Sequence, residues 1–262
     1  MSEVTTNWFL IRGLVRGGPH WVDFPKDFAK AQTNARIFCL DIPGNGLKNQ
    51  EPSPLSVPEM SRLLRAEFRD IIARHPGPNQ NNILVALSLG GMVVLDWLQR
   101  DPTGVDSAVL VNTSVRGLSP MHHRMNPKVY PNILKALGMK NVAARERMLV
   151  SIISNRTEAH DAVAAHWTAV HAQHPTSKAN AMRQIFAAAR FKPQLQKPQT
   201  PVLLVCGQGD RLVSPQCSES LHKLWGWDIQ RHPTGGHNLS IDDSPWLVDV
   251  LGQWRAQRQQ FA

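Results

Sequence analysis

Ten residues, Asn82-Ile83-Leu84-Val85-Ala86-Leu87-Ser88-Leu89-Gly90-Gly91, constrain this chain more than any others. A short apolar run leads straight into a serine set among small residues. A run with helical spacing, Met92 to Leu98, follows at once. Strand, sharp turn and helix read this way in sequence. The turn would lift the Ser88 hydroxyl into the open above a sheet, where it can attack a carbonyl. Its neighbours must be small because strand and helix pack at close range there. The usual pattern is Gly-x-Ser-x-Gly. Ala86 stands at the first glycine and keeps the bulk low. A plain buried strand-to-helix turn with a chance serine would share the pattern, so the reading needs partners elsewhere in the chain.

Two partners are present. Pro201 to Cys206 reads as a buried parallel strand, and Gly207-Gln208-Gly209-Asp210 follows it. An aspartate just beyond a strand's carboxyl end sits where open α/β sheets gather ligands. Further on, Pro233-Thr234-Gly235-Gly236-His237 places a histidine in a loop of small residues. The chain order Ser88, Asp210, His237 is that of a nucleophile-elbow hydrolase. From about Trp8 to Trp254 the chain resembles the α/β-hydrolase superfamily. Within it, the chain is similar to the small capped serine esterases, among them the pimeloyl carrier-protein methyl ester esterases of biotin synthesis. A further likeness is Asp41-Ile42-Pro43-Gly44-Asn45-Gly46, which resembles the superfamily's Asp-x-Pro-Gly-x-Gly turn.

The resemblance implies an α/β-hydrolase fold: a mostly parallel central sheet flanked by helices, with a helical cap inserted. Residues 1–114 and 196–262 would form the core and 115–195 the cap. A length of 262 residues suits one such domain with a moderate insertion, and 42% apolar content is ordinary for it. The β/α rhythm agrees. Strands are expected at Trp8–Ile11, Ala35–Leu40 and Ser107–Asn112. Ser56 with Glu59 predicts a capping box, and Met60, Leu63, Leu64, Phe68, Ile71 and Ile72 then fall on one helical stripe. Ser244 to Ala256 reads as the last helix. Between Val115 and Leu195 the rhythm breaks into helices expected at Ala143–Ile153, Ala159–Ala172 and Ser177–Phe191.

No run of apolar residues is long enough for a membrane span. Met1 to Asn7 lacks the basic and apolar blocks of a secretion signal. Cys39, Cys206 and Cys217 are too few and too scattered for a disulfide framework, and Cys39 and Cys206 are expected to be buried core thiols. The expected location is the reducing cytoplasm.

Charge is concentrated. Residues 115–195 hold twelve Lys and Arg against three acids, an excess equal to the formal +9 of the whole chain. Solvated helix faces would account for this, and so would steering of an anionic partner. Candidates are an anionic small-molecule ester, an acidic acyl carrier protein or a membrane surface. No nucleic-acid recognition motif accompanies the charge, so no nucleic acid is expected. The histidines of this segment (His122, His123, His160, His166, His171, His174) come without a His-Glu-x-x-His or paired-Cys pattern, so no metal is expected. No phosphate loop is present, and no cofactor is implied.

In the implied chemistry His237 takes the Ser88 proton and Asp210 fixes the histidine tautomer. Backbone N–H groups of Leu89 and, by family pattern, Leu14 would receive the oxyanion. The family's His-Gly-x is Arg12-Gly13-Leu14 here. Arg12 departs from the pattern and could bind a substrate carboxylate or form a structural ion pair. Trp21 could line the pocket or only pack. Asp242 and Asp243 follow the base too closely for the acid role and are expected to cap the last helix. Asn112, at the alternative acid position, is no carboxylate. The expected activity is cofactor-independent hydrolysis of a carboxylic ester through an acyl-enzyme. Thioester cleavage, C–C bond hydrolysis and a catalytically silent binding protein stay open as alternatives.

Overall fold

The computed structural model describes residues 4–77 and 79–259, so part of the amino-terminal stretch read above lies outside the described residues. Six strands form one parallel sheet: β1 (Thr5–Ile11), β2 (Ala35–Leu40), β3 (Gln80–Leu87), β4 (Ser107–Val111), β5 (Val202–Gly207) and β6 (Asp228–His232). Their spatial order is β2-β1-β3-β4-β5-β6. Helices α1 (Phe24–Ala31), α2 (Val57–Arg74) and α3 (Leu89–Arg100) alternate with the first four strands. Five helices stand between β4 and β5: α4 (Met121–Arg124), α5 (Tyr130–Gly138), α6 (Val142–Ile153), α7 (His160–Gln173) and α8 (Lys178–Arg190). The chain then runs through α9 (Gln216–Trp225), α10 (Leu239–Asp242) and α11 (Ser244–Gln259).

The near-continuous apolar runs of β1, β3, β4 and β5 follow from burial on both faces. Side chains alternate across the sheet, so each strand feeds two cores. Phe9, Ile11, Leu84, Ala86, Leu110 and Leu204 join the core shared with α2, α3 and α9. Trp8, Leu10, Val85, Val109 and Val205 join the core shared with α1 and α11. Cys39 does not join either: it lies exposed on β2, the edge strand, where one side of the strand has no neighbour. Cys206 is buried as expected. Among the described residues no helix is long and apolar enough to cross a membrane.

At the start of α2 the Ser56 hydroxyl accepts the Glu59 N–H at 3.4 Å. The Glu59 carboxylate turns instead to Arg62, 2.7 Å away, so only half of the expected box forms.

The helices α6, α7 and α8 fall where the sequence places them, within two residues at each end. The short α4 and α5 were not foreseen. The segment has a small core of its own, in which Trp167 and Val163 of α7 pack on Val150 of α6 and Ile241 of α10. Polar ties hold it over the loops at the carboxyl edge of the sheet. Glu146 of α6 meets Arg16 at 2.7 Å, and Gln184 of α8 accepts the Val15 N–H at 2.8 Å.

Candidate active site

The sharp turn is built at Ser88, whose φ of 57° and ψ of −116° lie outside the ordinary allowed regions. Its N–H pairs with the Val111 carbonyl at 2.9 Å, so β3 ends in register with β4. Its carbonyl accepts the Thr113 hydroxyl at 2.8 Å and the Gly91 N–H at 2.9 Å, which opens α3. The small neighbours are sterically required. A Cβ on Gly13 would stand 2.9 Å from the Ser88 Cβ, and one on Gly90 would stand 2.8 Å from the carbonyl oxygens of Ile11 and Arg12. Ala86 is fully buried between β1 and β4.

Asp210 follows β5 and is held from two directions. Its Oδ1 accepts the N–H groups of Leu212 and Val213 at 2.8 and 2.9 Å. Its Oδ2 lies 2.7 Å from His237 Nδ1, with side-chain exposures of 0% and 5% for the pair. Asp210 spends Oδ1 on those two backbone donors, so Oδ2 is free to take the imidazole N–H. The hydrogen-bond network therefore assigns the proton to Nδ1 and leaves Nε2 as an acceptor.

The loop carrying His237 follows β6 and is braced by residues that sequence reasoning did not assign to the site. Asn112 donates its amide to the carbonyls of Gly236 and His237 at 3.1 and 2.8 Å, and accepts the Gly207 N–H at 2.9 Å. Its place at the alternative acid position, together with a side chain that can both donate and accept, was the available signal. Asp242 does not cap α11. It accepts from the Ser154 hydroxyl at 2.6 Å and the Asn155 N–H at 3.0 Å, and also from the Gly236 N–H, joining the end of α6 to the histidine loop. It lies one residue too early to reach the first turn. Asp243 does cap α11, through the Trp246 N–H at 3.0 Å.

Ser88 and His237 line one cavity of about 360 Å³, a size suited to a small ligand. Leu14 and Leu89 line it too, and neither N–H has a backbone acceptor among the described residues. The Leu89 N–H also opens α3, where the helix dipole favours negative charge. The roof comes from the inserted helices, with Ile133 of α5, Leu149 of α6 and Ile185 of α8 giving an apolar lining.

Among the described residues Arg12 forms no ion pair. It is 2% exposed, and its Nη1 donates to Asn238 Oδ1 at 3.2 Å. The guanidinium lies 4.7 Å from the Trp21 ring and 5.8 Å from the Trp167 ring. Burial, with the neighbouring Arg16 charge, pushes its pKa down to about 9. The expected ion pair does not form because no carboxylate among the described residues reaches this position. Trp21 stands behind Arg12, stacked on Phe24, and the cavity wall takes His20 in its place. His171 and His174 also reach the wall, whereas His160 and His166 bond to the carbonyls of Ser154 and Pro19. Among the described residues no three His, Cys, Asp or Glu side chains gather as a metal site.

The model of the alpha/beta hydrolase family matches residues 10–250. The proposed carbamate hydrolase RutD of Serratia proteamaculans (strain 568) is 26% identical over 183 residues, 67% of this chain and 66% of that protein, just under two thirds of its length. Two solved structures share the fold. The esterase RhEst1 from Rhodococcus sp. ECU1013 has a TM-score of 0.73 at 18% identity, covering 95% of this chain and 90% of its own. The serine hydrolase CCSP0084 from Cycloclasticus zankles has a TM-score of 0.76 at 14% identity, covering 97% and 90%.

Proposed function

The chain belongs to the alpha/beta hydrolase family, and we propose that it cleaves carboxylic esters through an acyl-enzyme on Ser88. The observation that carries this reading is the buried His237–Asp210 pair at 2.7 Å on the cavity that Ser88 also lines. A serine hydroxyl is a weak nucleophile until a base takes its proton. His237 Nε2 does so, and then returns the proton to the leaving alcohol. Asp210 holds the ring and favours the imidazolium. The oxyanion that forms on the attacked carbonyl is received by the N–H groups of Leu14 and Leu89, both of which line the cavity. Water, activated by the same histidine, releases the acid.

The inserted segment 115–195 acts as the cap and sets the size of the acyl group. The substrate is a small-molecule ester, anionic or presented by an acidic carrier protein that the basic cap attracts. The three cysteines are free, which suits the cytoplasm. Thioester cleavage would use the same residues, and a silent receptor would not need them. A fluorophosphonate probe should label the wild-type protein and not Ser88→Ala. Absence of label on folded wild-type protein would end the enzyme reading. A panel of p-nitrophenyl esters against acyl thioesters then ranks the two reactions.

A further inference from the structure

The cavity wall carries an excess of positive charge. Five cationic side chains (Arg12, Arg16, Arg124, Arg145 and Lys178) reach its wall against one carboxylate, Glu146. Glu146 is 2.7 Å from Arg16 and 3.0 Å from Arg145, so one negative charge answers two positive ones. Arg124 is occupied by the carbonyls of Ala188 and Ala189, at 2.7 and 3.3 Å. Arg12 has no carboxylate partner among the described residues. Its Nε is buried with no hydrogen-bond partner, and its one hydrogen bond among the described residues is the 3.2 Å contact with Asn238. A buried guanidinium is a costly group to leave without an anion, and aromatic faces offset only part of that cost.

The position of this cation is informative. Arg12 precedes Gly13, which lies against Ser88, and Asn238 follows His237. The Arg12 side chain thus runs from the loop beside Ser88 to the side chain of the residue after His237. Arg16 stacks over Trp167 at 4.2 Å, and Arg12 is 5.8 Å from that same ring. The two cations therefore lie against one indole, and both line the cavity.

We propose that Arg12, supported by Arg16, is a subsite for a substrate carboxylate, and that the preferred substrates are short half-esters of dicarboxylic acids. This deepens the ester-hydrolase reading and rests on it for the chemistry, though not for the binding. A guanidinium receives a carboxylate through two parallel N–H donors, which fixes both position and orientation. Arg12 and Ser88 line one cavity of about 360 Å³, so a carboxylate held at Arg12 shares that small space with a carbonyl over Ser88. A neutral acyl chain would leave the Arg12 charge unanswered. Binding is by charge and hydrogen bonds alone, and no bond is made or broken at Arg12.

The test uses monoethyl succinate and its neutral near-isostere ethyl levulinate, in which a methyl ketone replaces the carboxylate. Binding of each to Ser88→Ala is measured by calorimetry, so the subsite is read without turnover. The half-ester should bind at least 30-fold more tightly. Equal binding, or preference for the ketone, overturns the proposal while leaving the esterase reading intact. With wild-type protein, kcat/KM should favour the half-ester by at least the same factor. Loss of turnover on both, with half-ester binding retained, instead removes the esterase reading and keeps the subsite. Arg12→Gln should lower half-ester kcat/KM at least 30-fold more than ethyl levulinate kcat/KM, chiefly through KM. Arg12→Lys should restore part of that difference. Equal losses on the two esters would show Arg12 to be a packing residue and overturn the assignment. The binding comparison on Ser88→Ala decides the matter should Arg12→Gln fail to fold.

Discussion

The side-chain amide of Asn112 donates to the His237 carbonyl at 2.8 Å, so the residue just after β4 positions the loop that follows β6. The same amide oxygen accepts the Gly207 N–H at 2.9 Å, and Asp210 lies three residues further on. One buried side chain thus spaces the Asp210 turn from the His237 loop. Asn112 itself holds a φ of 47°, a conformation that asparagine tolerates better than most residues.

Asn112→Ala should therefore hurt both stability and rate. It leaves buried carbonyls of Gly236 and His237 without a donor, at a cost of about 1–3 kcal/mol. Urea unfolding should register that loss. Turnover should fall about 10-fold at a temperature where the variant is folded, because the imidazole is less well placed. An unchanged kcat in a destabilised protein would confine Asn112 to structure.

Gly13→Ala tests the steric argument at the elbow. Its Cβ would press within 2.9 Å of the Ser88 Cβ, and neither backbone can yield without moving Leu14 or the serine. The expected result is a folded protein with kcat/KM on a p-nitrophenyl ester reduced about 100-fold, since misplacement of about 1 Å is that costly. Wild-type turnover would mean that the two turns have slack between them.

The elbow was legible because the chemistry of a sharp strand-to-helix turn demands small residues at fixed offsets, and Ala86, Gly90 and Gly91 meet that demand. The order of Asp210 and His237, each after a buried run, was equally visible. Their meeting was not, since proximity across 27 residues depends on how β5 and β6 pair. Asn112 was weighed only as a missing carboxylate, because its bonds run to backbone groups that no local pattern predicts. The same holds for Asp242, whose partners lie on α6 and in the histidine loop. The short helices α4 and α5 carry too few turns for a period to emerge. Arg12 was expected to find a carboxylate. The two indoles that flank it come from positions 21 and 167, and nothing local to Arg12 announces either.

Asp210→Asn preserves shape and removes the charge that fixes the tautomer. An amide facing Nδ1 can present its N–H there and turn the imidazole to the wrong protonation state. A loss of about 10³–10⁴-fold in kcat is expected, with KM little altered. Labelling of Ser88 by the fluorophosphonate should slow in parallel. A loss under tenfold would show that another group orients His237.

His20 gives the stability curve a definite sign. Burial, followed by the charges of Arg16 and Arg12, lowers its pKa far below the ordinary histidine value of 6.5. Its Nδ1 accepts the Gly17 N–H at 3.1 Å, a role only the neutral ring can fill. The unfolded chain binds a proton at this histidine below pH 6.5 and the folded chain does not. Stability from this group is therefore complete above that value and is lost as the pH falls, by up to about 1.4 kcal/mol per pH unit. His20→Asn keeps an acceptor and cannot titrate. Its unfolding free energy should fall less steeply between pH 6.5 and 4.5 than that of the wild type. Parallel slopes for the two proteins would show that His20 does not govern the acid limb.

Glu146 ties the inserted helices to the loop that carries Leu14. Its carboxylate is 1% exposed and meets Arg16 and Arg145, so removing it leaves two buried or half-buried cations facing each other. Breaking a buried pair by deleting one partner costs about 3–5 kcal/mol, more than the pair contributes over a neutral replacement. Glu146→Ala should lower the unfolding free energy within that range, and Glu146→Gln by less, because its amide still accepts from Arg16. The loss should also be local. Hydrogen exchange in α6 and α7 should rise before that of β3 and β4, since the helices lose their tie to the Arg16 loop while the sheet keeps its own cores. Uniform acceleration across the sheet and the inserted helices would show instead that these helices do not open as a separate unit.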